Sequence, residues 1–193
     1  MLDIIAVTYG QDDILKCFIN SIKSQTNKNW RLFLIHDGKN DVLRIDLEEN
    51  SYLTDNITFI EYPERTMNYG HLLRKWGLEN LVTNEYVLIT NGDNYYTPNM
   101  VDEVLKNTED LIYFDCVHSH DNILNHNKST YGYMNSKLEI SNIDMGCVVV
   151  KSDIAKSIGF KSVNYSADWD YFSEILSTNP SIKKIDKVLF VHN

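Results

Sequence analysis

Residues 85–98 read EYVLITNGDNYYTP, and the fold turns on how that stretch is parsed. Residues 86–90 are a short run of strand formers, Asn91-Gly92-Asp93-Asn94 breaks it, and Pro98 opens a helical pattern. An apolar run this short, ending in Gly and acidic or amide residues, predicts a buried parallel strand. Such a strand carries Asp93 to its C-terminal end, where open α/β sheets bind ligands. Asn, Gly and Asp are also ordinary turn residues, so taken alone the stretch reads equally well as a plain strand-to-helix turn.

Outward from there the pattern alternates. Toward the N-terminus, strands are expected over 3–8, 30–35 and 57–61, with helices over 12–24 and 68–81 and a short helix over 40–50. The first helix has Ile14, Leu15, Phe18, Ile19 and Ile22 at helical spacing, and the 68–81 helix has Tyr69, Leu72, Leu73, Trp76 and Leu81. Trp76 is expected in the core. With a helix over 98–106, Pro98 in its first turn, the first half reads β-α-β-α-β-α-β-α, which implies a parallel sheet with helices on both faces. The second half differs: strands over 111–117, 137–143, 147–150 and 187–191, helices over 152–158 and 167–177 capped by Ser166, and a polar stretch over 118–133. No internal repeat or linker is visible, so one domain over 1–193 is expected.

Composition narrows the function. The chain has 193 residues, 43% hydrophobic and 23% charged, with a formal net charge of -9. That charge argues against a nucleic-acid partner. It would also repel a phosphate ligand unless a cation intervenes. Cys17, Cys116 and Cys147 are widely spaced and read as small buried hydrophobes in a reducing compartment. No signal peptide and no run long enough for a membrane span are seen, so a soluble cytoplasmic protein is expected.

In a parallel sheet the strand ends lie along one edge. The first ends Thr8-Tyr9-Gly10, the second His36-Asp37-Gly38, the third runs into Glu64-Arg65-Thr66, and the fourth ends Asn91-Gly92-Asp93-Asn94. An aromatic ring, two carboxylates and an arginine therefore converge, a set suited to a nucleotide. Tyr9 can stack on a base, Asp37 can accept from a base N–H or a ribose hydroxyl, and Arg65 can pair with phosphate. Arg65 also reads as a plain surface arginine. Asp93 would meet phosphate through a divalent cation. Neither G-x-G-x-x-G nor G-x-x-x-x-G-K-[ST] is present, which disfavours a dinucleotide-binding domain and a P-loop NTPase.

The opening IIAVTYGQDDILKCFINSIKSQTNKNWRLFLIHDGKND resembles that of a family 2 glycosyltransferase with the GT-A fold. The likeness is carried by Tyr9 after the first strand, the S-x-x-x-Q-T run from Ser21 to Thr26, and Asp37-Gly38. Asn91-Gly92-Asp93 stands where that family keeps a D-x-D metal motif, with Asn91 at its first acidic position. Ala167-Asp168-Trp169-Asp170 resembles the family's x-E-D segment, and Val188-Leu189-Phe190-Val191-His192 its closing strand with a metal-binding His. The resemblance implies a GT-A type Rossmann-like open sheet, mostly parallel with a smaller antiparallel part and helices on both faces. It implies a donor half over 1–95 and an acceptor half over 96–193.

It further implies a nucleotide-sugar donor, a UDP-sugar first, transferred with inversion to the hydroxyl of a carbohydrate or glycoconjugate acceptor. Thr8, Tyr9, Asp37, Arg65, Asn91, Gly92 and Asp93 would bind the donor. Asp93 and His192 would hold Mn²⁺ or Mg²⁺, Asp168 would be the catalytic base, and Trp169 and Asp170 would face the acceptor. Gly146 would match a loop near the donor sugar. Bland readings stand beside these: Asp168 as a helix-terminal carboxylate, His192 as a terminal histidine, Trp169 as core. His118, Ser119, His120, Asp121 and His126 suggest a second metal site, but no fixed helical pairing supports it, and a polar loop over the site is preferred. A sugar nucleotidyltransferase would want a basic Gly-rich signature that Val7 to Asp13 lacks. A non-catalytic sugar-binding protein draws support from Asn91 and Ala167.

Overall fold

The computed structural model describes residues 1–120, 130–164 and 166–193. The first half runs β1 (Leu2–Thr8), α1 (Asp12–Lys23), β2 (Trp30–His36), α2 (Asp41–Glu49), β3 (Ile57–Glu61), α3 (His71–Asn80) and β4 (Tyr86–Asn91). A two-residue strand β5 (Tyr95–Tyr96) precedes α4 (Met100–Leu105). Then come β6 (Leu111–His120), β7 (Thr130–Met134), a 3₁₀ turn (Met145–Cys147), β8 (Val148–Lys151), α5 (Ser152–Ile158), α6 (Ala167–Ser177) and β9 (Ile182–His192).

The strands form one sheet in the order β3-β2-β1-β4-β8-β6-β9-β5, with β7 also paired to β6. β1 sits between β2 and β4, parallel to both. All seven of its residues are buried, as expected of an apolar strand covered on both faces. The chain steps from β1 through β2 to β3, then returns to place β4 on the far side of β1. A right-handed crossover puts its helix on the opposite face when the direction of travel reverses. α1 and α2 accordingly bury Leu15, Phe18, Ile22, Leu43 and Leu47 against one face, with α4, while α3 buries Leu73 and Leu78 against the other, with α5 and α6. The reversal opens a crevice at the C-terminal ends of β1 and β4, the position where open α/β sheets take ligands. The second half adds the antiparallel pairs β4–β8, β6–β8, β6–β7 and β5–β9, while β6 and β9 run parallel.

Several expectations need correction. Residues 137–143 form no strand: the amide of Lys137 donates to the carbonyl of Asn142 and that of Asn142 to Glu139, so the segment turns on itself, with Ser141 at φ 64°. The polar stretch after 117 begins as strand, since β6 continues to His120 and pairs with β7. Asp121 and His126 lie outside the described residues. The last strand is longer than its apolar run, because β9 pairs along β6 from Ile182 onward. Pro98 precedes the helix instead of starting it, its carbonyl accepting from the amide of Thr26. Tyr69 lies before α3, exposed, and Cys17 is exposed on α1, whereas Cys116 and Cys147 are buried. Trp76 does pack against the core as expected, though only partly buried, edge-on to Tyr62. Ser166 occupies the N-cap of α6 with no side-chain capping bond.

One buried charge ties the far end of the sheet together. Asp3 on β1, fully buried, accepts from Arg31 Nε at 2.9 Å, the amides of Thr83 and Asn84 at 2.8 and 2.9 Å, and Asn84 Nδ2 at 2.7 Å. β1, β2 and the α3–β4 connection are thus pinned opposite the crevice.

Candidate active site

A cleft of about 320 Å³ opens at the strand ends, and Thr8, Tyr9, Asp37, Arg65, Asn91, Gly92 and Asp93 all line it. Met67, Tyr69 and Gly70 are also in its wall, with Val7, Gln11 and Leu73. Asp37 is buried, and its two oxygens accept from the amides of Thr66 at 2.6 Å and Met67 at 3.3 Å. It therefore orders the segment that carries Arg65, a task the sequence did not suggest. The guanidinium carbon of Arg65 lies 3.6 Å from the centroid of the Tyr9 ring. The two side chains expected to meet base and phosphate separately are stacked on each other, a cation–π pair. The chain then passes through Met67, Tyr69 and Gly70 at φ 54°, 49° and 76°. Only Gly suits the last position, since a Cβ there would also sit 2.8 Å from Val7 Cγ2.

Behind the cleft lies a cation that sequence reasoning missed. Arg74 on α3 is buried; it donates to Asn91 Oδ1 at 2.5 Å, to the carbonyl of Tyr69 at 2.9 Å and to His71 Nδ1 at 2.8 Å. Asn91 thus spends its amide oxygen on Arg74. Burial pulls the Arg74 pKa down, while Asp168, Asp144 and Asp93, in that order, push it back up. The Arg74 guanidinium therefore offsets the charge of a partly buried acidic cluster, with no direct ion pair to it among the described residues. The one available signal was position: Arg74 lies three residues after His71 and four before Leu78, on the buried face of α3.

Asp93 Oδ1 and Asp168 Oδ1 are buried with no hydrogen-bond partner among the described residues. Burial raises both carboxyl groups above the ordinary value. Asp93 is drawn back down by its own backbone amide, His192 and Arg74, and Asp168 by Arg74 and then His192; Asp144 pushes each up. Asp168 reaches this cluster from the first turn of α6. Its neighbours Trp169 and Asp170 are partly buried, and neither lines the cleft; Trp169 packs on the α3–α5–α6 side of the core. Gly146 lies inside the fold, its carbonyl accepting from the Tyr96 hydroxyl at 2.9 Å.

His192, at the end of β9, pairs in register with His118 of β6, and both face Asp144. One ligand atom from each of these three lies within 4.8 Å of the others. Imidazole and carboxylate donors at that spacing fit a divalent cation. From the sequence, His118 is read only within a second metal site that is set aside, and Asp144 is not read as a ligand. Asp93, by contrast, stands outside that triad.

The sheet order and helix placement agree with solved GT-A glycosyltransferases. S. aureus TarS 1-349 superposes with a TM-score of 0.77 at 14% identity, covering 100% of this chain and 60% of that one. Its complex with UDP-GlcNAc gives 0.69 at 14% identity, covering 98% and 57%. A mannosyltransferase from Pyrobaculum calidifontis, solved with GDP-Man and Mn²⁺, gives 0.69 at 17% identity, covering 99% and 56%. The fold is GT-A. The profile described as Glycosyl transferase family 2 matches residues 3–162, and the chain belongs to that family. Comparison with curated protein sequences returns no match. The chain spans about three fifths of the length of the solved structures named here. Among the described residues no helix is long and apolar enough to cross a membrane.

Proposed function

We propose that this chain transfers a sugar from a nucleotide-sugar, a UDP-sugar in the first instance, to a hydroxyl of a carbohydrate or glycoconjugate acceptor, with inversion at the anomeric carbon. The observation that carries the reading is the crevice at the β1–β4 reversal, lined by Tyr9, Asp37, Arg65 and Asp93, with Asp168 in the same partly buried acidic cluster as Asp93. Residues 1–95 supply the donor side and 96–193 the acceptor side of one domain. Tyr9 takes the base, Asp37 the base edge or ribose, and Arg65 the diphosphate once it leaves the Tyr9 ring. Thr8, Asn91 and Gly92 shape the floor.

Asp93 and His192 would hold Mn²⁺ or Mg²⁺. Such an ion, when bound, offsets negative charge on the departing nucleoside diphosphate. Asp168 accepts the proton of the acceptor hydroxyl through its unpartnered oxygen as that hydroxyl attacks; the bond to the diphosphate breaks on the opposite face. A raised carboxyl pKa suits a base that works near neutrality. Trp169 and Asp170 are assigned to the acceptor. Free cysteines agree with a reducing, cytoplasmic setting.

A donor screen tests this. The protein is titrated with UDP-sugars, GDP-sugars and free UDP, with Mn²⁺ and with chelator, reading thermal shift and released nucleoside diphosphate. Mn²⁺-dependent stabilisation by one UDP-sugar with slow hydrolysis is expected. Absence of any nucleotide effect would turn the assignment to a non-catalytic sugar-binding protein, the reading that the Asn91–Arg74 bond favours.

A further inference from the structure

We propose that the cation of this site is seated on a two-histidine, one-carboxylate triad, His118, Asp144 and His192, and that this seat prefers a transition-metal ion such as Mn²⁺ or Co²⁺ to Mg²⁺. The inference deepens the nucleotide-sugar reading and rests on it for the cation's purpose. Its geometry starts from strand register. His118 and His192 are directly paired across β6 and β9, so their side chains leave the sheet together. The rings are parallel within 2°, with centroids 4.1 Å apart.

Asp144 is the third arm. Its Oδ1 is held by the amide of Gly146 at 2.8 Å, which fixes the carboxylate. Its Oδ2 faces both imidazoles, 3.9 Å from His118 Nε2 and 3.7 Å from His192 Nε2. Those separations exceed a hydrogen bond. Ligand atoms on one ion, with bonds of about 2.1 Å, stand roughly 3.0–3.5 Å apart, so modest contraction closes the set. A carboxylate with one oxygen tethered and the other turned to two imidazole nitrogens is the arrangement that outer hydrogen bonds give to metal ligands. The triad adjoins the donor cleft: Asp93, on the cleft wall, feels the charges of His192 and Asp144. Asp93 stands outside this set, on the cleft side of it. Two imidazoles in the set also decide selectivity, since Mg²⁺ favours oxygen ligands and imidazole suits the transition metals.

The test is calorimetric titration of the full chain with Mn²⁺, Co²⁺ and Mg²⁺, with and without UDP, for wild type, His118→Ala, His118→Asn, Asp144→Asn and Asp93→Asn. Circular dichroism checks the fold of each, and His118→Asn serves if the alanine variant does not fold. Asp144→Asn keeps an acceptor for the Gly146 amide while removing the charge. One Co²⁺ per chain is expected, with a visible absorption band that changes in the His118 variants. Co²⁺ and Mn²⁺ affinity should drop at least tenfold in both the His118 and the Asp144 variants, and Mg²⁺ should bind at least tenfold more weakly than Mn²⁺. Wild-type affinity and spectrum in the His118 variants would overturn the triad, as would wild type that binds neither Mn²⁺ nor Co²⁺ in either condition. Intact metal binding with no response to any nucleotide would instead sink the transferase reading and leave the triad standing.

Discussion

Asp168 and His71 are shifted in opposite senses, and the signs separate their consequences. The Asp168 carboxyl is raised by burial. Its contribution to stability is full below the ordinary carboxylate pKa and lost as pH rises through the folded value, so the ionised form is a net cost at neutral pH. Asp168→Asn is expected to reduce transfer by about 10²–10⁴-fold, leave donor affinity within about twofold, and stabilise the fold by on the order of 1 kcal/mol. Turnover, donor titration and thermal melts check the three parts; unchanged transfer would move the base to Asp170. His71 is held down to about 4 from 6.5, by burial and then by Arg74, the nearby Asn164 backbone opposing. Neutral His71 therefore supports the fold fully above pH 6.5, and that support is lost as pH falls toward 4. Urea unfolding across this window should show wild type losing about 2 kcal/mol more than His71→Gln, after allowance for solvent screening. Arg74 was illegible for a physical reason. An arginine within a helix ordinarily faces water, and this one is buried because Asn91 arrives from β4 and the Tyr69 carbonyl, just ahead of α3, also accepts from it. Asp144 was hidden likewise, since its partners belong to two strands far away in the chain.

At the level of elements, what the sequence showed clearly was what chain-local chemistry dictates. β1, β2 and β4 are mostly apolar runs punctuated by Gly and acidic or amide residues, and most of the expected cleft residues follow from those punctuation marks. α1 follows from its helical spacing. Elements specified by partners were not visible. β5 has two residues and exists because Tyr95 and Tyr96 pair with β9. Residues 137–143 read as a strand, yet Ile140 is 60% exposed and no strand of the sheet includes the segment. The 3₁₀ turn that presents Asp144 depends on a close approach: a Cβ on Gly146 would lie 2.5 Å from Phe190 Cζ and 3.0 Å from the Tyr96 hydroxyl oxygen. Gly146→Ala must push a buried ring, and is expected to lower stability by about 1–3 kcal/mol, measured by chemical denaturation. It should also weaken the Asp144 tether.

For the molecule as a whole, the Asp3 junction and the cleft occupy opposite ends of the same strands. Asp3→Ala would leave Arg31 and the amides of Thr83 and Asn84 without their buried acceptor. Stability is expected to fall by about 3–5 kcal/mol in equilibrium unfolding, with donor affinity of the folded fraction little changed. The parallel first half and the crevice were legible because β-α alternation leaves few topologies. The neighbours of β6 were not, since pairing between distant strands has no local signature. The place of β1 between β2 and β4 has a further consequence, for synthesis. On a ribosome making roughly 5–20 residues per second, the partner strand ending at Asn91 follows the end of β1 by several seconds. Throughout that interval LDIIAVT carries an open edge, and nascent chains are exposed to mispairing along it. The strand at the floor of the cleft is thus also the nascent chain's first hazard, and chaperone demand in the cell should follow the emergence of residues 86–91 rather than the completion of the chain.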